Sequence, residues 1–205
     1  MRTQFLDVIC FVVLCVILTL GLWPFHSPRN EVAWLGNHYG LRFGQFSTVI
    51  SSTAFPMTRA EEETFGSVEI WLQPRRIWDK GTLLAFSTPG NPPQFSLHQS
   101  EVDLELQTGA NKIRLYVDNV FCKPGPVFVT ITSGKHGTAV YTDGVLVKMA
   151  PQFRLPANGF TGQLVLGDSP GQTDSWSGQL LSLAVFCVPQ KAAPVSNENA
   201  APWPG

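Results

Sequence analysis

Between Ala33 and Val188 no segment keeps apolar residues three and four positions apart over successive turns. Short runs instead alternate apolar and polar residues with a period of two, and turn residues separate them. An amphipathic helix needs the first pattern and a half-buried strand the second, so this stretch has to build its core from sheets. The spacing predicts strands over 40–43, 46–51, 67–73, 82–87, 94–99, 102–107, 112–117, 127–132, 138–142, 145–149, 163–166 and 179–186. In 67–73, Val68, Ile70 and Leu72 share one face while Glu69, Trp71 and Gln73 share the other. In 127–132 both faces carry β-branched or aromatic residues, the mark of a central strand. Asp143-Gly144 between two β-rich runs calls for a type I′ hairpin, whose two central residues both need positive φ. So many short strands in one domain predict an all-β fold of two stacked antiparallel sheets. Long, uneven connections such as 52–66 argue against a closed barrel.

The first 23 residues differ in kind. From Phe5 to Trp23 the chain is predominantly apolar, with Asp7 as its only charge. Nineteen helical residues span about 28 Å, close to the hydrocarbon thickness of a bilayer. A cleaved leader would end in small residues, whereas this run ends Gly21-Leu22-Trp23-Pro24-Phe25. The reading is one N-terminal transmembrane helix over 1–23, a tether over 24–32, the β-domain over 33–188 and a disordered tail over 189–205. Arg2 favours an inside N-terminus, which places the domain outside the cytoplasm in a single-pass membrane protein. Charge is sparse and balanced: 14 Lys and Arg residues against 15 Asp and Glu, with no basic cluster, which excludes nucleic acid as a partner.

The order of SVEIWLQP (67–74), GTLLAFS (81–87), FSLHQS (95–100), VFVTITSGKHGTAVYTDGVLV (127–147) and GQLVLGDSPGQTDSWSGQLLSLAVF (162–186) resembles the laminin-G-like, concanavalin-A-like lectin-glucanase jelly-roll family. The resemblance covers about Leu35 to Phe186. It implies a non-catalytic domain that recognises carbohydrate or protein at one sheet or rim. The chain departs from the family after Phe186, where Cys187-Val188-Pro189 leads directly into the tail.

Glu101-Val-Asp103-Leu-Glu105 offers a second reading. On a strand the three carboxylates would share a face, and the pattern resembles the catalytic strand of glucanases of this fold class. Glu101 would then be nucleophile, Asp103 the orienting carboxylate and Glu105 the acid/base of a glycoside hydrolase. The plain reading is a solvated, charged strand face. Trp34, Trp71, Trp78 and Trp176 are scattered and supply no aromatic walls for a sugar cleft beside that strand. The recognition domain is therefore the expectation, with the hydrolase as its alternative. In Gly167-Asp-Ser-Pro-Gly-Gln-Thr-Asp174, Asp168 and Asp174 are calcium candidates against the simpler reading of a turn. His26, His38, His98 and His136 lack ligand spacing with cysteines, which disfavours zinc, and no Ser/His/Asp set or phosphate loop stands out. Cys122 and Cys187, the two cysteines beyond the apolar segment, are candidates for a disulfide in an oxidising compartment.

Overall fold

The computed structural model describes residues 2–22, 29–36, 39–55, 64–109, 113–155, 159–169 and 174–189. Residues Arg2–Leu22 form helix α1, which belongs to a unit separate from the one that begins at Glu31. Side chains around the helix, among them Val8, Phe11, Leu14, Ile17 and Leu20, are exposed apolar groups. Among the described residues no helix is long and apolar enough to cross a membrane. The transmembrane span expected over 1–23 is not reproduced among these residues. Trp23, most of the expected tether (24–28 of 24–32) and the tail beyond Pro189 lie outside the described residues.

The second unit is all β. Its strands are β1 (Val32–Trp34), β2 (Leu41–Phe43), β3 (Val49–Ile50), β4 (Thr64–Pro74), β5 (Lys80–Ser87), β6 (Phe95–Ser100), β7 (Asp103–Thr108), β8 (Ile113–Val117), β9 (Val127–Gly134), β10 (Gly137–Thr142), β11 (Val145–Ala150), β12 (Gln163–Leu166) and β13 (Gly178–Pro189). They form two antiparallel sheets, a seven-stranded one in the order β1-β2-β13-β4-β9-β10-β11 and a six-stranded one in the order β3-β12-β5-β6-β7-β8. Every strand expected from period-two spacing is present, and β1 is the addition. Three residues, two of them exposed, give β1 no alternation to read. The expected strand over 46–51 shrinks to Val49–Ile50, because Ser47 turns back to accept a hydrogen bond from Gly44 N–H.

The core lies between the sheets, where period-two spacing puts it. Val68, Ile70 and Leu72 of β4 and Val129 and Ile131 of β9 face Leu84 and Phe86 of β5, Leu97 of β6, and Leu104 and Leu106 of β7, all buried in one cluster. β9 is central, with β4 on one side and β10 on the other, which explains why both of its faces carry bulky residues. The Asp143-Gly144 turn has φ of 51° and 80°, both positive as a type I′ turn requires. Nothing lies within 4 Å of the position a Gly144 Cβ would take, so only backbone strain opposes a larger residue. Gly144→Val is expected to lower stability by about 1–2 kcal/mol, seen as a lower denaturation midpoint with an unchanged slope. An unchanged midpoint would mean that the turn does not need its glycine.

Candidate functional site

β6, β7 and β8 keep Leu97, Leu104, Leu106 and Leu115 on the core side, so their alternate residues share the opposite face of the six-stranded sheet. Those residues are Ser96 and His98, Glu105 and Gln107, and Arg114 and Tyr116. Glu105 is only 7 % exposed. Arg114 Nε lies 3.2 Å from its Oε1, and Gln107 Nε2 donates to the same oxygen at 2.7 Å. A neutralised, hydrogen-bonded carboxylate is what burial on a sheet face demands.

Glu101, Asp103 and Glu105 do not share that face. Glu101 sits in the two-residue β6–β7 turn with φ of 60°, and β7 begins only at Asp103. The turn breaks the alternation on which the three-carboxylate reading depends. Each acid has a different partner. Glu101 is ion-paired to Lys80 at 3.1 Å in solvent, Asp103 accepts the Asn119 N–H at 2.8 Å, and Glu105 holds Arg114. Only Asp103 and Glu105 retain the strand spacing.

Beside Glu105, residues distant in sequence meet. Thr82 of β5 lies opposite His98. Its hydroxyl donates to Asp174 Oδ2 at 2.9 Å, although Asp174 is 92 positions away in sequence. His98 Nδ1 is 3.0 Å from Thr82 Oγ1 and 3.7 Å from Asp174 Oδ2, while its Nε2 is 2.8 Å from Ser96 Oγ. Ser96, His98 and Asp174 thus form the Ser/His/Asp set that sequence spacing did not reveal. Its geometry does not suit acyl transfer. Ser96 is buried in mid-strand with β5 and β7 on either side, where the sheet ladder takes up the backbone N–H groups an oxyanion would need. The set ties the β12–β13 connection to the sheet.

Asp174 has its pKa lowered. The largest cause is the His98 ring; burial works against it, and the Thr82 hydroxyl adds to it. A carboxylate held below its ordinary value stabilises the fold above the unfolded pKa near 4, and that contribution disappears as the pH falls through the folded value. The wild-type chain is expected to lose stability below about pH 4 more steeply than Asp174→Asn. Melting temperature followed from pH 6 to pH 2.5 tests this, and parallel curves would contradict it.

Asp168, the other calcium candidate, accepts the Ser169 N–H at 2.7 Å. Burial raises its pKa and the Asp174 charge adds to this, while the Ser169 N–H opposes it. Ser169 Oγ and Asp174 Oδ1 are buried without a hydrogen-bond partner. Two carboxylates and a hydroxyl with orphaned oxygens suit a hard cation in kind, but fall short of the six to eight oxygens calcium takes. Among the described residues no three His, Cys, Asp or Glu side chains converge on a metal-sized site. Cys122 is a free, exposed thiol, so the expected bridge to Cys187 is not formed. The register explains this. β13 sets Cys187 opposite Gly66, itself opposite Ser133 at the far end of β9, whereas Cys122 precedes Val127 at the near end. Val127 and Ser133 are about 20 Å apart along the strand, far beyond disulfide reach.

Two clefts open at the end of the sandwich where β4, β13 and β2 begin or finish. The first, about 470 Å³, is lined by Arg42, Gln73, Arg75 and Gln179 above Pro74 and Gly178. The second, about 430 Å³, shares Arg75 and is lined by Gln45, Arg76, Asp79, Lys80 and Asp174. Buried Gln99 holds this rim. Its side-chain amide donates to the carbonyls of Arg76, Ile77 and Glu101 and its oxygen accepts from Trp176 Nε1 at 2.8 Å. Sequence reasoning singled out Asp174 as a calcium candidate and missed the other cleft residues. The available signal was Arg75-Arg76 directly after an apolar strand, in a chain with only 14% charged residues.

This pair of antiparallel sheets, with strands contributed in crossed order and clefts at the rim, is a lectin-type β-sandwich. The family model of the concanavalin A-like lectin/glucanases superfamily matches residues 48–196, and the chain belongs to that superfamily. No curated protein matches the chain. Among solved structures it is similar to botulinum neurotoxin type C, whose cell entry depends on two ganglioside molecules, at 13% identity and a TM-score of 0.55 over 78% of this chain and 42% of that one. It is also similar to the botulinum neurotoxin DC binding domain in complex with rat synaptotagmin II, at 16% identity and a TM-score of 0.58 over 77% and 42%. A third likeness is the Ruminococcus gnavus sialidase carbohydrate-binding module bound to α2,3-sialyllactose, at 14% identity and a TM-score of 0.53 over 72% and 88%. The chain spans about two fifths of the neurotoxin chains. At such identities these likenesses show the jelly-roll fold.

Proposed function

We propose that this chain is a non-catalytic glycan-recognition domain held outside the cytoplasm by its apolar run Phe5–Trp23. The observation that carries the reading is the cleft over β4, β13 and β2. There a domain of the lectin superfamily leaves arginine and glutamine side chains facing solvent in a concave site. Structural neighbours that bind gangliosides or sialyllactose support the choice of glycan, and the synaptotagmin complex keeps a protein ligand as the second outcome. The hydrolase alternative finds less support, since Glu101, Asp103 and Glu105 each have a separate partner. A glycan array probed with the full chain in mild detergent tests the reading. Retention of a defined glycan class is expected, and a blank array together with capture of a protein ligand would replace it.

The tether rests on the apolar run Phe5–Trp23. The protein is expected to stay in the membrane fraction after carbonate washing, and release into the supernatant would remove the anchor from the proposal. Asp168, Ser169 and Asp174 are the residues that would hold a calcium ion. A rise in melting temperature with calcium, lost in Asp168→Asn, would establish it, and no response would exclude it.

A further inference from the structure

We propose that the cleft lined by Arg42, Gln73, Arg75 and Gln179 takes an acidic glycan, the two guanidiniums receiving its anionic group and the two amides its hydroxyls. This rests on the glycan reading above and narrows it to one chemical class. Gln73, Gln179 and Arg42 are successive cross-strand partners on β4, β13 and β2. The core claims their neighbours Leu72, Leu180 and Phe43, so these three side chains point away from it. Arg75 follows Gln73 by two positions, and its N–H donates to the Ser177 carbonyl at 3.1 Å, which extends the row by one step. Strand spacing places Arg42 and Arg75 about 12 Å apart at the backbone, close enough for two long side chains to converge on one substituent.

Neither arginine is committed elsewhere. Lys80, Arg114 and Lys148 each have a carboxylate partner, whereas Arg42 and Arg75 have no ion pair or side-chain hydrogen bond among the described residues. Gln73 and Gln179 likewise have no described side-chain partner. Among the described residues no acid lines this cleft. Glu31 lies at its Gly44 edge, where its carboxylate accepts the Gln45 N–H at 3.1 Å, and Asp79 and Asp174 line the adjoining cleft. A guanidinium presents a planar fork that matches a carboxylate or sulfate with two parallel hydrogen bonds, which a neutral sugar cannot return. Next to Gln179 on β13 is Gly178, paired with Pro74 of β4 and Phe43 of β2. A Cβ there would meet the Trp176 ring at 2.4 Å and the Gln73 carbonyl at 2.6 Å, so close packing beneath the cleft fixes the strands that carry its polar groups.

Calorimetric titration of the full chain in mild detergent with 3′-sialyllactose and trigalacturonate, against lactose and galactotriose, tests this. The acidic sugars are expected to bind at least about tenfold more tightly than the neutral ones, and to weaken with added salt. Arg42→Ala and Arg75→Ala should each lower acidic-sugar affinity about tenfold and leave the melting temperature unchanged, because both side chains are exposed. Arg75→Lys should recover only part of the loss, since a point charge lacks the fork. Equal affinity for acidic and neutral sugars, or acidic binding unaffected in the double Arg→Ala variant, would overturn the inference and leave the glycan reading standing. No binding of any of the four, together with a blank array, would overturn both.

Discussion

Phe86→Ala is expected to lower the unfolding free energy by about 4 kcal/mol. Phe86 is fully buried on β5 and meets Phe55 and Phe160 edge to face, with ring centroids 5.4 Å apart in both contacts. Phe160 in turn packs on Phe95 at 5.4 Å, so one ring in the middle of an aromatic chain is removed. The loss combines transfer of the ring to water with the cavity left behind, and edge-to-face contacts add a further share. The cavity cannot readily collapse, since β5 is fixed by β6 on one side and β12 on the other. A shift in the urea midpoint of less than about 1 kcal/mol equivalent would show that the cluster does not carry the core.

Gln99→Leu is expected to cost about 3 kcal/mol. Leucine nearly matches glutamine in volume, so packing changes little and the effect isolates the hydrogen bonds. Trp176 Nε1 loses its acceptor inside the core, and the carbonyls of Arg76, Ile77 and Glu101 lose their donor. A buried donor without a partner incurs its full desolvation penalty, whereas carbonyls near the rim recover some of theirs from water. Amide exchange should quicken over 75–80, because Gln99 joins that loop to the sandwich. Wild-type stability and exchange in the variant would remove Gln99 as the clamp of the cleft rim.

Local alternation made most of the fold legible. Val68, Ile70 and Leu72 and their β9 counterparts needed only period-two spacing, and Asp143-Gly144 needed only turn chemistry. Errors arose where a long-range contact or a single backbone angle decided the outcome. The positive φ at Glu101 moves one carboxylate into a turn and dissolves a three-residue pattern. The distance between Cys122 and Cys187 depends on the β13–β4–β9 register, which neither cysteine's neighbours record. Asp174 could be weighed as a calcium ligand from its loop, but its contact with Thr82 and His98 follows from the return of the chain beside β5. Of the cleft residues, Arg75 left a faint trace as a charge at a strand end. Arg42 and Gln179 left none, because their meaning lies in a cross-strand row.

Recognition without cleavage is tested most directly by the mass of a glycan after prolonged contact with the protein. A glycan retained on the array would be incubated overnight with the full chain, released by denaturation and weighed by mass spectrometry. Recovery of the intact oligosaccharide, in equal amount from wild type and from Glu101→Gln, is the predicted result. Shortened oligosaccharide from wild type that is absent from Glu101→Gln would contradict it and make this chain a glycoside hydrolase.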